Sequence, residues 1–273
     1  MSAATEMQAE APLLLRQDRA DGVSVLTLNR PAARNSLSLQ MLETLENALA
    51  AIGEDARVRC VVLAASGPAF CAGHDLREIT AHRADADGGR GFFDRAMGTC
   101  ARVMQAIVGL PQPVVAAVQG IATAAGCQLV ATCDLAVASD QARFCTPGVD
   151  IGLFCSTPAV ALARAVPRKA AMEMLMLGDM IPAEEALRIG LVNRVVPAED
   201  VMATALALAA RIAGRSALTV RMGKRGFHAQ VDLPLAEAYA SAACVMTENL
   251  MARDAAEGIG AFLQKRKPVW EDR

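Results

Sequence analysis

Residues 113–152, PVVAAVQGIATAAGCQLVATCDLAVASDQARFCTPGVDIG, constrain this chain more than any other stretch. An apolar β-branched run from Val114 to Val118 reaches Gly120, passes through Ala122, Thr123, Ala124, Ala125 and Gly126, and enters the helix-like segment CQLVATCD. The pattern reads as a strand, a tight turn and a helix start. Small side chains at a helix N-terminus leave the first amides uncovered. Those N–H groups lack intrahelical partners and carry the positive end of the helix dipole, so an oxygen bearing negative charge fits there.

Composition sets the frame for that site. A chain of 273 residues, 53% of them hydrophobic, buries one large core or one core with a helical annex. A net charge of −2 and a pI near 6.0 leave no basic footprint for nucleic acid, although Arg221–Lys224–Arg225 and Lys265–Arg266–Lys267 can each hold a phosphate. A small anionic ligand is expected rather than a polymer. Aromatic residues make up only 3%, too few for base-stacking platforms. The eight cysteines lie in apolar runs without CxxC spacing and read as buried small hydrophobes in a reducing cytoplasm, not as metal ligands or disulfides. The first twelve residues, MSAATEMQAEAP, resemble no targeting peptide and are expected to be disordered. No run reaches the ~18 apolar residues of a membrane span, so the chain reads as soluble and cytoplasmic.

In chain order, VSVLTLNR (23–30) reads as a strand. Ser38 then caps a helix with Leu39, Leu42, Leu45, Leu49 and Ile52 on one face and Glu43 and Glu46 pointing outward. VRCVVLAAS (58–66) is a buried strand, which makes a right-handed βαβ unit. In GPAFCAGHDLREI (67–79), Gly73 sits in a turn and Asp75 opens a short helix, so the His74 amide becomes a natural second donor beside the helix start at 124. The insert HRADADGGRG (82–91) reads as a mobile surface loop and 92–109 as an amphipathic helix. Beyond Gly152 come helices at 157–166, 168–177 and 182–190, a short strand at 191–197, and helices from Ala198 onward. No internal repeat stands out. A soft boundary near 200 separates a core (13–200) from a helical C-terminal region (201–273), whose apolar faces, short of sheet to cover, suggest a subunit interface.

NRPAARNSLS (29–38), FCAGHDL (70–76), the 113–139 stretch, GLVNRVVP (190–197) and EGIGAFLQKRKPVW (257–270), in this order across nearly the whole chain, resemble the crotonase, or enoyl-CoA hydratase/isomerase, family. Within it the chain looks most like a branch of enoyl-CoA hydratase domain-containing proteins that lacks the usual catalytic glutamates. The resemblance implies an α/β fold, a ββα superhelix core with a C-terminal helical trimerisation region, and assembly as a homotrimer or a dimer of trimers. It also implies acyl-CoA thioester chemistry of the fatty acid metabolism type, of lyase or isomerase class, with no metal or other cofactor, no nucleic acid and no membrane. A thioester carbonyl would sit in an oxyanion hole between the backbone N–H groups of His74 and Ala125, where charge develops on forming an enolate.

The family's glutamate pair is missing: the two positions carry Gln128 and Gly148. Glutamine transfers no proton near neutral pH and glycine has no side chain, so neither water activation nor protonation of the α-carbon is supplied there. Asp150 is the nearest titratable substitute. Asp75 and Asp134 read better as helix caps or salt-bridge partners, Ser156 lacks a histidine, Cys71, Cys145 and Cys155 lie in apolar surroundings, and the His74 ring is expected to face outward or cover ligand. For coenzyme A, the resemblance points to Arg30, Arg34, Asn35 and Ser36 on the nucleotide-binding loop, to Ala72, His74, Asp75 and Leu76, and to Lys265 near phosphate on the terminal helix. Three readings compete: a hydratase/isomerase-type enzyme with atypical proton-transfer groups, a non-catalytic or regulatory acyl-CoA-binding protein, and an RNA-binding homologue, which the mixed charge of 198–215 disfavours.

Overall fold

The computed structural model describes residues 11–273. Most of the segment expected to be disordered, 1–12, lies outside the described residues. Within its last two residues, the Pro12 carbonyl already accepts a hydrogen bond from the Asn29 side-chain amide at 2.9 Å. The chain opens with a strand that the sequence reading did not anticipate, β1 (Leu14–Asp18), antiparallel to β2 (Val23–Leu28). The helix α1 (Leu39–Gly53) starts where its cap residue places it, with Ser38 Oγ accepting from the Met41 amide at 3.2 Å. Its expected apolar stripe, together with Met41, is buried. β3 (Cys60–Ala65) then returns parallel to β2.

From β3 onward the chain repeats one step, consisting of a strand in the main sheet, a short strand in a second sheet, and helix. β3 is followed by β4 (Ala69–Cys71), α2 (Leu76–His82) and α3 (Arg90–Gly109). Next come β5 (Val114–Val118), β6 (Ile121–Thr123) and α4 (Ala125–Thr132). A third round runs through β7 (Leu135–Ser139), β8 (Arg143–Cys145), a 3-10 turn at Pro147–Ile151, α5 (Ser156–Ala165) and α6 (Arg168–Leu177). β9 (Ile181–Pro182), α7 (Ala183–Arg188) and β10 (Arg194–Val196) complete the sheets, whose orders are β1-β2-β3-β5-β7-β10 and β4-β6-β8-β9. Except for β1–β2 and β8–β9 the pairings are parallel, which buries both faces of the central strands and explains their unbroken Val and Ala runs. The 82–91 insert is not a plain loop. α3 starts at Arg90, and the Asp87 carboxylate accepts from the Gly89 and Gly91 amides at 2.9 and 2.8 Å.

One face of the main sheet packs against α1, α3 and α4. The other is covered by α8 (Val201–Ala213): Val201, Ala205, Ala209 and Ala213 meet Val23, Val25, Cys60, Val62, Val115 and Val137. The C-terminal region was expected to find no sheet to cover. α8 corrects that, because its alanine stripe lets it lie close on the small side chains of the sheet. α9 (Ala217–Gln230) and α10 (Leu235–Met251) pack on each other and bury no residue fully, and α11 (Arg253–Leu263) follows. Phe227, Leu235, Tyr239, Met246 and Met251 are exposed there. Among the described residues no single helix is long and apolar enough to cross a membrane.

α9 is tied to the core by one charge. Lys224 Nζ, its side chain only 7% exposed, donates to the Ile107 carbonyl (2.9 Å), the Gln112 carbonyl (3.2 Å) and Asp134 Oδ2 (2.7 Å). The expectation that Lys224 helps hold a phosphate is therefore wrong: its three donors are spent inside the protein.

Candidate active site

Two turns meet at the N-terminus of α4, and glycine lets them meet. Gly73 has φ +83, and a Cβ on it would stand 2.9 Å from the Ala124 Cβ and 3.3 Å from the Ala125 nitrogen. A Cβ on Gly126 would stand 2.1 Å from the Cys71 carbonyl oxygen, so no other residue fits. Thr123 Oγ1 fastens the pair by donating to the Ala72 carbonyl at 3.0 Å. The backbone N–H groups of His74 and Ala125, one on each turn, find no acceptor among the described residues. Ala125 carries the first free amide of α4, where the positive end of the helix adds to its pull on an anion.

Between them sits a strained residue. Ala124 has φ 49 and ψ −119, a conformation natural to glycine, held by its N–H donating to the Cys145 carbonyl (2.9 Å) and its carbonyl accepting from the Gln128 amide (3.0 Å). Such a backbone costs about 1–3 kcal/mol. Ala124→Gly is expected to stabilise the protein by about 1 kcal/mol after the entropy cost of glycine, raising the melting temperature by about 2–4 °C. A lower melting temperature in thermal denaturation would show that Ala124 is relaxed.

The expected acid/base positions, Gln128 on the helix that Ala125 opens and Gly148 in the 3-10 turn after β8, carry no proton-transfer group. Gln128, one turn along α4 from Ala125, is only 3% exposed, and its Oε1 accepts from the Cys100 thiol at 3.9 Å. Burial pushes that thiol up to about 12, so it is a donor. Gly148 is buried and has no positive φ, but a Cβ there would stand 2.7 Å from the Leu153 carbonyl and 2.8 Å from Cys155 Sγ. The thiol of Cys155 thus occupies the space into which a side chain at 148 would grow. Asp150 is exposed and its carboxylate stands beside Gly178, at the end of α6.

The remaining candidates divide clearly. Asp75 caps α2, accepting from the Arg77 and Glu78 amides, and pairs with Arg30 at 2.6 Å; burial opposes its charge, yet Arg30 and the two amides outweigh it and hold the carboxyl below the usual range. Asp134 accepts from the Val114 amide at 2.7 Å and from Lys224, the structural role expected of it. Ser156 is exposed, and its hydroxyl donates to the Phe154 carbonyl at 3.3 Å. Burial raises the Cys71 and Cys145 thiols to about 12 and about 11, too high for thiolate chemistry. The His74 ring does not face outward. Burial lowers its pKa, the Leu37 backbone opposes this only in part, and Nε2 is enclosed without a hydrogen-bond partner.

On the expected coenzyme A loop, Asn35 is wholly buried and its amide is fully used. It accepts from the Arg30 amide at 2.8 Å and donates to the Ser66 and Ala69 carbonyls at 2.8 and 2.9 Å, so it staples the loop and has nothing left for a ligand. Ser36 accepts from the Arg30 guanidinium at 3.2 Å. The Ala72 amide donates to the Arg34 carbonyl at 3.0 Å and the Ala72 carbonyl accepts from Thr123, so its backbone is committed as well. Arg34 and Lys265, both exposed, have side chains without partners among the described residues, and Leu76 is half exposed at the start of α2. Beside the loop opens a cleft of about 800 Å³ lined by Asn29, Arg30, Ala32, Asp75, Arg77 and Glu78. The pairing of Arg30 with Asp75, 45 residues apart, and the thiol beside Gly148 left no signal in the sequence.

A model of the family described as Enoyl-CoA hydratase/isomerase matches residues 18–273. The mitochondrial enoyl-CoA hydratase domain-containing protein 3 of Rattus norvegicus is 48% identical over 259 residues, covering 95% of this chain and 85% of its own. The 2,3-dehydroadipyl-CoA hydratase of Escherichia coli (strain K12) is 34% identical over 262 residues, covering 96% and 98%. Among solved structures, human enoyl Coenzyme A hydratase domain-containing protein 3 superposes with a TM-score of 0.90 at 46% identity, covering 95% of this chain and 100% of that one. An enoyl-CoA hydratase of Mycobacterium smegmatis gives 0.91 at 50% identity, covering 95% and 99%.

Proposed function

Because the chain belongs to the enoyl-CoA hydratase/isomerase family, we propose that it binds a coenzyme A thioester and holds the thioester oxygen between the amides of His74 and Ala125. The observation that carries this reading is the pair of unpaired amides on two turns in backbone contact, one of them at the positive end of α4. Donors placed in advance where negative charge develops lower the barrier to an enolate by ~3 kcal/mol each. The proton-transfer half of hydration is weak in this reading, since Gln128 and Gly148 stand where carboxylates would act. A catalytic role through another group is favoured by one feature, the partnerless Nε2 of His74, whose ring is attached to the very residue that supplies an amide to the site.

The reading asks for no metal or nicotinamide. The free, mostly buried thiols suit a reducing compartment. Assembly as a homotrimer or a dimer of trimers is part of the proposal, supported by the exposed apolar faces of α9, α10 and α11. Calorimetry with acetyl-CoA tests it: binding should weaken as salt screens the phosphates, and Arg34→Ala or Lys265→Ala should each lower affinity by up to about fivefold, the effect of an exposed ion pair. Light scattering on the same samples should show three or six copies. Unchanged affinity in both variants would move the nucleotide end elsewhere, and no binding at all would overturn the reading.

A further inference from the structure

The amide of Gln128 has one half in use and one half idle. Its oxygen faces Cys100, whose thiol, kept protonated by burial, donates to it at 3.9 Å. In this orientation Nε2 lies on the other side of the amide. The NH₂ group donates to no described residue, although the side chain is 97% buried by its 3% exposure, and Nε2 is not among the enclosed polar atoms left without a partner. It therefore touches open space. Gln128 lies three residues after Ala125 on the same helix, so the two share a face of α4.

The electrostatics around this donor are as informative as the donor. Asp75 is neutralised by Arg30, Asp134 by Lys224, and Asp150 stands in solvent beside Gly178. No unpaired carboxylate among the described residues faces the site. Thiols of Cys100 and Cys155 line the approach to positions 128 and 148, and burial holds both protonated. Three N–H donors, from His74, Ala125 and Gln128, thus belong to two turns in contact and to the helix that follows one of them. A site so built discriminates by leaving a donor unpaired when an ordinary alkyl chain is bound.

We propose that this site selects acyl-CoA thioesters bearing a hydrogen-bond acceptor on the β-carbon, a ketone or a carboxylate, and that the Gln128 amide is the group that selects them. The inference rests on the thioester-binding reading above. Gln128 reaches the acceptor while the two backbone amides hold the thioester oxygen, so the acyl group is clamped at both ends of its first carbons. A carboxylate at position 128 would repel one of the two acceptor classes, whereas the neutral amide accepts both.

Paired ligands of equal carbon number test this in the intact protein. Calorimetry compares malonyl-CoA with propionyl-CoA, and acetoacetyl-CoA with butyryl-CoA. The acceptor-bearing member of each pair should bind more tightly, roughly three- to tenfold for the ketone and roughly ten- to a hundredfold for the carboxylate. In Gln128→Leu both ratios should fall toward one, and in Gln128→Glu the malonyl ratio should fall below one; Gln128→Met replaces Leu if the first variant melts early. Preference for malonyl-CoA alone identifies the carboxylate as the selected group, and preference for acetoacetyl-CoA alone identifies the ketone. Ratios at or below one in the unmodified protein overturn the selectivity while leaving thioester binding in place. Ratios that persist in Gln128→Leu assign the selectivity to another residue and overturn the role of Gln128. Failure of all four ligands to bind overturns both readings.

Discussion

Crotonyl-CoA hydration by this protein should run far below the turnover of ~10 per second that is ordinary for an enzyme. Each general acid or base that takes part in a reaction contributes ~10²–10⁴-fold, and neither position supplies one here. The two backbone donors survive, so the expected signature is tight thioester binding with almost no product, measured by the loss of the conjugated enoyl absorbance. Replacing Gln128 by Glu should achieve little alone, because water attack and α-carbon protonation act on one bound substrate as a unit. The double variant Gln128→Glu, Gly148→Glu is not a simple repair either. A side chain at 148 runs into the Leu153 carbonyl at 2.7 Å and the Cys155 sulfur at 2.8 Å. Cys155→Ala relieves the second contact, but the first is backbone and yields only if the loop moves. Overpacking of this kind costs ~1–3 kcal/mol, so the double variant should melt several degrees lower and gain little activity. Turnover near ~10 per second in the unmodified protein would instead show that another group transfers the protons, with His74 first in line.

Lys224→Met should be strongly destabilising although it lies outside the sheets. The substitution leaves Asp134, its side chain only 20% exposed, without its cation while it still accepts from the Val114 amide, and strips the Ile107 and Gln112 carbonyls of their donor. Breaking a buried pair by removing one partner costs ~3–5 kcal/mol. At roughly 2–4 °C per kcal/mol for a chain of this size, the melting temperature should fall by roughly 6–20 °C. Asp134→Asn should cost less, since an amide oxygen still accepts from Val114 and Lys224. Lys224→Arg should not rescue the protein, because a planar fork does not fit three acceptors converging on one point. His228 Nε2, 3.8 Å from Asp134 Oδ1, is too distant to take over the role. A melting temperature for Lys224→Met within about 2 °C of the unmodified protein would mean that α9 does not depend on this tether.

The elements that depend on nearby residues were legible in the sequence. Ser38 and the leucine spacing placed α1, the Val and Ala runs placed the buried strands, and Gly73 and the small residues at 122–126 placed the two turns whose amides make up the proposed site. Cap chemistry, side-chain period and glycine conformation act within a few residues, so the chain states them directly. The strand at Leu14–Asp18 escaped because four of its five residues are exposed and show no alternation. The repeated strand–strand–helix step escaped too, since its rounds share geometry and not residues.

What only the tertiary structure decided concerns what each polar group does once distant segments meet. Asn35 is spent on carbonyls at 66 and 69, Arg30 on Asp75, and Lys224 on residues more than a hundred positions back or on Asp134. Nothing local distinguishes these from free ligand-binding groups. Likewise the sequence by itself determined that positions 128 and 148 carry no carboxylate. That Gln128 keeps an idle donor, and that Cys155 fills the room beside Gly148, follow from how α3 packs on α4 and how Cys155 returns to the 3-10 turn, where burial and contact rather than residue type set the chemistry.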